Sequence, residues 1–157
     1  MKFYSTNNRD LQASFRDAVI NSLPSDNGLY FPENIPKLPS EFFQKLKSLS
    51  KAEIGYEVAR HFVGDEIPAD RLRQIVEETV DFDMPLVEVN KYIHSLELYH
   101  GPTWAFKDMG ARFLSRCMSY FTEQEEEEVN ILVATSGDTG GAVAAGFHGV
   151  KGVKVTI

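Results

Sequence analysis

Apolar residues recur at helical spacing through most of the first eighty positions. Leu11, Phe15, Ala18, Val19 and Leu23 share one face of a predicted helix, and Pro24, Ser25, Asp26, Asn27 and Gly28 then supply turn residues. Leu29-Tyr30-Phe31 predicts a brief extended piece. Pro32, Pro36 and Pro39 punctuate the next connection, and Ser40 is placed to cap a helix carrying Phe42, Phe43, Leu46 and Leu49. Ser50 and Glu53 have capping-box spacing, in which hydroxyl and carboxylate each satisfy a free backbone N–H. The helix they open carries Ile54, Val58, Ala59, Phe62 and Val63 as its stripe. Beyond Gly64 and Pro68, Asp70 starts another predicted helix. Leu72, Ile75, Val76 and Thr79 line one face of it, against Arg71, Arg73, Glu77 and Glu78 on the other. These stripes read as core.

The pattern changes after Pro85. Leu86-Val87-Glu88-Val89 and the segment from Tyr92 to Tyr99 have the β-rich, partly alternating composition of two neighbouring strands, separated by Asn90 and Lys91. His100 to Asp108 follows, and then a helical pattern through Phe113, Leu114, Cys117, Met118 and Phe121, which puts Lys107 near that helix's start. Glu123 and the run Glu125 to Glu128 read as a solvated connector, because clustered like charges repel. Val129 to Ala134 is almost continuously apolar and predicts a strand covered on both faces. Thr135 to Gly141 interrupts it, Ala142 to Phe147 is small and helical, and Val153 to Ile157 begins another strand. Together they form a βαβ unit with an expected right-handed crossover. The fold class expected is α/β: a helical N-terminal region over 1–84, a short β ribbon, and over 85–157 the beginning of a parallel-sheet domain. Ending inside an apolar strand, such a sheet has few strands, and a fragment of a longer protein is the expectation.

Composition narrows the function classes. With 43% apolar and 25% charged residues in 157, the chain is an ordinary globular protein. A formal net charge of -7 gives no support to a nucleic-acid partner. The apolar stretches are too short to span a bilayer and the N-terminus lacks the apolar core of a signal peptide, so no membrane partner and a cytoplasmic location are expected. Cys117 is the only cysteine, which excludes an intrachain disulfide and a cysteine-rich zinc site, and its apolar helical setting reads as a buried thiol. His61, His94 and His148 have no spacing for shared ligation, and consecutive glutamates do not converge on one ion, so no metal site is expected.

Two segments carry candidate chemistry. Thr135 to Gly141 lies where a strand delivers the chain to a helix, the place where α/β proteins bind ligands. Its glycines permit close approach, the helix N-terminus favours an anion, and Ser136 and Thr139 offer hydroxyls. Neither the G-x-x-x-x-G-K-[ST] nor the G-x-G-x-x-G order is met, and Asp138 has the wrong sign for a phosphate cradle, so a carboxylate held by the backbone fits better; a plain tight turn is the alternative. Lys107 is flanked by Trp104, Ala105 and Phe106 on one side and Asp108 on the other. A lysine amine becomes a nucleophile or base only where its surroundings lower a pKa of ordinarily ~10.4. Such a lysine can form a Schiff base, and a partly exposed helix-start lysine is the other reading.

Read together, these residues carry a resemblance. The chain resembles the threonine synthase family, pyridoxal-phosphate enzymes of the tryptophan-synthase-β fold type. The likeness runs through Tyr4-Ser5-Thr6, Ser14-Phe15-Arg16 with Asp17-Ala18-Val19, and Gly28-Leu29-Tyr30 with Pro32. It continues through Leu96-Glu97-Leu98, His100-Gly101-Pro102-Thr103, Ala105-Phe106-Lys107-Asp108, and Ala134-Thr135-Ser136-Gly137-Asp138-Thr139-Gly140. The last segment is shared with cysteine synthases and with serine and threonine dehydratases; the N-terminal signature and H-G-P-T-x-A-F-K-D point to threonine synthase. The resemblance implies that the second region begins a domain binding pyridoxal 5'-phosphate (PLP), that Lys107 carries the cofactor as a Schiff base and shuttles protons, and that Asp138 lies near the cofactor's 3'-oxygen. It gives Thr135, Ser136, Gly137 and Thr139 the substrate carboxylate. The reaction it implies is a carbon-oxygen lyase reaction of threonine biosynthesis, O-phospho-L-homoserine and water giving L-threonine and phosphate. The family's phosphate loop and pyridine-nitrogen partner have no counterpart here, so the 157-residue piece alone is expected to be inactive.

Other residues have open readings. His100 lies near the lysine loop, either close to the pocket or bonded structurally to backbone. Trp104 and Phe106 either shield the lysine or simply pack. Arg112, one helical turn beyond Asp108, is spaced for an i,i+4 ion pair, with phosphate binding the bolder role. Two other function classes stay open: another enzyme of the same fold type, or a non-catalytic anion-binding module using Thr135 to Gly141.

Overall fold

A computed structural model describes residues 1–123 and 128–157, which divide into two units, Met1–Glu77 and Glu78–Ile157. Residues 125–127 of the acidic connector lie outside the described residues; Glu123 and Glu128 are exposed.

In the first unit, the N-terminal signature builds a small sheet that helical periodicity did not reveal. Strand β1 (Phe3–Ser5) pairs antiparallel with both β2 (Gln12–Ala13) and β3 (Tyr30–Pro32). Strands of two and three residues are too short to show alternation. Ser5, fully buried, donates its hydroxyl hydrogen bond to Asp26 at 2.7 Å, and Asp26 also accepts the Gly28 N–H at 3.0 Å. A side chain at Gly28 would collide with the Ser5 hydroxyl. Thr6 and Leu29 are linked twice, Thr6 N–H to the Leu29 carbonyl and Leu29 N–H to Thr6 Oγ1, both at 2.9 Å.

Helix α1 (Phe15–Asn21) is shorter than its apolar pattern, because Ser14 and Asp17 form a capping box that starts it after Leu11, and Leu23 falls beyond its end. The Glu66 carboxylate accepts the Phe15 and Arg16 N–H groups at 2.9 and 2.8 Å, placing negative charge at the helix's positive end. Helix α2 (Ser40–Lys45) departs from the sequence reading: Pro39 is its cap, without a side-chain bond, and Ser40 is already helical. Helix α3 (Lys51–Val63) opens on the capping box of Ser50 and Glu53. In α4 (Ala69–Thr79), Leu72, Ile75, Val76 and Thr79 are all buried, and so are Val63 and Ile67 before it. The α3 stripe is less complete. Val58 is exposed, whereas Tyr56 is buried, with the Arg73 guanidinium 3.7 Å above its ring.

In the second unit, β4 (Leu86–Asn90) and β5 (Ile93–Leu96) form an antiparallel ribbon, exposed along its whole length. Helix α5 (Asp108–Thr122) buries Asp108, Ala111, Ser115, Cys117, Met118 and Thr122. Strand β6 (Val129–Leu132) runs parallel to β7 (Val153–Thr156), Val129 opposite Val153, with α6 (Asp138–Phe147) between them. Helices α5 and α6 pack closely at Gly146, where a Cβ would come within 3.1 Å of the Ala111 carbonyl oxygen. Arg116 donates to the Gly146 carbonyl at 2.9 Å beside that approach. Coverage of both faces of β6 is not observed: its residues alternate half-buried and exposed, and Leu132 is 79% exposed, because described residues cover only one side. Among the described residues no helix is long and apolar enough to cross a membrane.

Candidate active site

The lysine loop is held by its own backbone and by one buried acid. Trp104 N–H bonds the Gly101 carbonyl at 3.2 Å, Asp108 N–H bonds that of Ala105 at 3.0 Å, and Ala111 N–H bonds that of Lys107 at 3.0 Å. Lys107 occupies the cap position of α5, so its side chain leaves from the very start of the helix. Asp108 is 1% exposed; its carboxylate accepts the Thr103 N–H at 2.9 Å and the Thr103 hydroxyl at 2.5 Å. Gly101 lies against it, and a Cβ there would sit 2.5 Å from Asp108 Oδ2. Trp104, at φ 58°, turns through the left-handed region and is exposed.

The glycine bend joins β6 to α6. Thr135 Oγ1 accepts the Gly137 N–H at 3.2 Å, and Gly137, at φ 143°, takes a conformation that side chains resist, with open space where its Cβ would be. Ser136 and Gly137 are exposed, Thr139 is half-buried, and Gly140 is buried against Thr135 and Ile157. Asp138 is the first residue of α6.

The loop and the bend meet. Lys107 Nζ lies 2.5 Å from Asp138 Oδ2. The lysine side chain is 34% exposed and the aspartate 55%, so the pair borders solvent. The amine also sits 5.1 Å from the centre of the Phe106 ring. Lys107 beside it holds the Asp138 carboxyl below its usual range, and the Thr139 N–H assists. Of the residues singled out in the sequence, Lys107 and Asp138 are in direct contact; Thr135, Ser136, Gly137 and Thr139 belong to the bend that carries Asp138.

Other expectations are corrected. Asp108 makes no ion pair with Arg112; the Arg112 guanidinium donates instead to the Glu78 carbonyl, through Nε at 3.0 Å and through Nη2 as well. His100 bonds a side chain rather than backbone, its Nε2 lying 2.7 Å from Glu97 Oε2, and its ring stacks on Tyr99. Glu97 is held below its usual range by His100 and then Tyr99, and Tyr99 is raised by Glu97. Phe106 flanks the amine, whereas Trp104 is 85% exposed. The Thr103–Asp108 clasp was missed, because an acid beside a lysine at a helix start reads as surface charge.

A family model described as "Threonine synthase N terminus" matches residues 2–80. The chain belongs to the threonine synthase family. It is 38% identical to threonine synthase of Escherichia coli over 157 residues, 100% of this chain and 36% of that relative. The crystal structure of the Escherichia coli threonine synthase superposes with a TM-score of 0.90 at 37% identity, covering 99% of this chain and 36% of the other. A threonine synthase from Brucella melitensis, solved with PLP bound, gives 0.92 at 38% identity over 99% of this chain and 34% of the other. The chain thus spans about 36% of the length of the Escherichia coli threonine synthase it matches.

Proposed function

We propose that this chain supplies the cofactor-bearing lysine and the substrate-carboxylate bend of a threonine synthase. The whole enzyme converts O-phospho-L-homoserine and water to L-threonine and phosphate with PLP as cofactor, in the cytoplasm. The observation carrying this reading is the approach of Lys107 Nζ to Asp138 at the glycine bend. Family membership and the PLP-bound relative support it.

The residues present fit such a cofactor. A partly exposed amine at the end of a flexible side chain is the group that condenses with an aldehyde, and Phe106 offers an apolar flank beside it. When bound, PLP supplies an electron sink for the charge left when a carbon-bound proton departs. Lys107 would hold it, and the free amine would then move protons between neighbouring carbons, a task its four rotatable methylenes suit. Asp138 accepts a hydrogen bond from the amine and fixes its direction. The Thr135, Ser136, Gly137 and Thr139 positions at the N-terminus of α6 would receive a carboxylate, where backbone N–H groups and the helix dipole favour an anion.

Borohydride reduction of the chain after incubation with PLP, followed by peptide mapping, tests the reading. A stable adduct at Lys107, lost in Lys107→Ala, is expected; a non-catalytic anion-binding module would give none there. Turnover of O-phosphohomoserine by the longer enzyme, as against exclusive use of serine or O-acetylserine, separates threonine synthase from its fold-type relatives.

A further inference from the structure

Among the described residues of the second unit Asp108 is the one acid that is fully withdrawn from water, and the reaction assigned to Lys107 does not use it. Burying a carboxylate is costly unless hydrogen bonds compensate, so its partners show what it does. The hydrogen bonds its carboxylate accepts come from one residue five positions upstream: the backbone N–H and the hydroxyl of Thr103. On its other side Gly101 is pressed so close that a methyl group would strike the carboxylate. Asp108 therefore fastens residues 101–103 to the first turn of α5, and Lys107 is the residue between the clasp and the helix. Thr103 in turn lies opposite Gly141 of α6, its Cβ 4.0 Å from where a Gly141 Cβ would stand. The clasp thus touches both helices whose starts carry Lys107 and Asp138.

We infer that Asp108 is a positioning residue for Lys107: through Thr103 it closes the lysine loop onto the first turn of α5 and holds the amine against Asp138. The carboxylate is bonded to Thr103, and the amine to Asp138. A chain without the clasp keeps the buried face of α5, formed by Ala111, Ser115, Cys117 and Met118, and loses the fixed departure point of the lysine side chain. The inference rests on the reading of Lys107 as the cofactor lysine only for its consequence; the positioning itself is testable without cofactor.

Carbodiimide coupling at neutral pH, which joins an amine and a carboxylate already in contact, reads the Lys107–Asp138 approach directly by peptide mapping of the 157-residue chain. The unmodified sequence is expected to give the Lys107–Asp138 cross-link. Asp108→Asn and Thr103→Val should lower its yield about tenfold, the population change expected from losing one charge-assisted hydrogen bond. Thr103→Ser, which restores the hydroxyl, should recover it. Thr103→Val keeps the backbone bond and a similar volume, so it carries the test even if Asp108→Asn does not fold. Unchanged cross-linking in folded Thr103→Val or Asp108→Asn overturns the inference, as does a Thr103→Ser chain as poor as Thr103→Val. PLP trapping on the same variants separates the two claims. Cross-linking that falls with the clasp while the unmodified sequence gives no PLP adduct at Lys107 overturns the proposed function and leaves the positioning role standing. A PLP adduct with clasp-independent cross-linking does the reverse.

Discussion

An exposed lysine–aspartate pair adds little to folding free energy, so Lys107 and Asp138 are best followed by titration. The Asp138 carboxyl is depressed in the folded chain by its bond from Lys107. Its contribution to stability is therefore complete above the ordinary value of 3.8 and disappears as pH falls through the lower, folded value. Carboxyl NMR should give an Asp138 midpoint below 3.8 that rises toward it in Lys107→Met; an unmoved midpoint would mean that the amine does not engage the carboxylate. Cys117 behaves in the opposite sense. Burial alone pushes its thiol up to about 12, so a disulfide reagent at pH 8 should leave it unlabelled in the folded chain and label it once denaturant is added. Rapid labelling without denaturant would show that α5 opens locally.

Helices α3 and α4 were legible in the sequence because their thirteen and eleven residues give two or three repeats of the apolar stripe, and Ser50 with Glu53 marks a start. Removing that cap by Ser50→Ala should cost about 1 kcal/mol in denaturant unfolding, because the Glu53 N–H loses its hydroxyl acceptor at 3.2 Å while the residue-50 N–H keeps its 2.7 Å bond to the Glu53 carboxylate. The α5–α6 approach could not be foreseen, since a glycine late in a helix, such as Gly146, reads as a weak position rather than as a contact. Gly146→Val would drive a branched side chain into the Ala111 backbone and should destabilise by about 1–3 kcal/mol. Circular dichroism melting checks it, and an unchanged midpoint would contradict the packing. The site was half legible on the same grounds: Lys107 and the glycine bend stand out by residue type, whereas the roles of Thr103 and Gly101 depend on the burial of Asp108, which spacing does not reveal.

At the scale of the molecule, an isoelectric point near 5.1 sits beside an exposed apolar ribbon. Leu86, Val89, Ile93 and Leu96 are each more than half exposed. Such surface associates most readily when net charge vanishes, so turbidity is expected to peak near pH 5.1. Paired Leu86→Thr and Ile93→Thr substitutions should lower both that peak and the binding of an apolar dye; equal dye binding would place the sticky surface elsewhere. The chain's single tryptophan, Trp104, stands three residues before Lys107 in the turn closed on Gly101. Indole emission from this protein therefore has one source, and excitation near 295 nm makes it an internal optical probe. Red-edged emission from so open a ring should blue-shift or be quenched when a chromophore settles beside the lysine, giving a label-free titration of occupancy without any added dye.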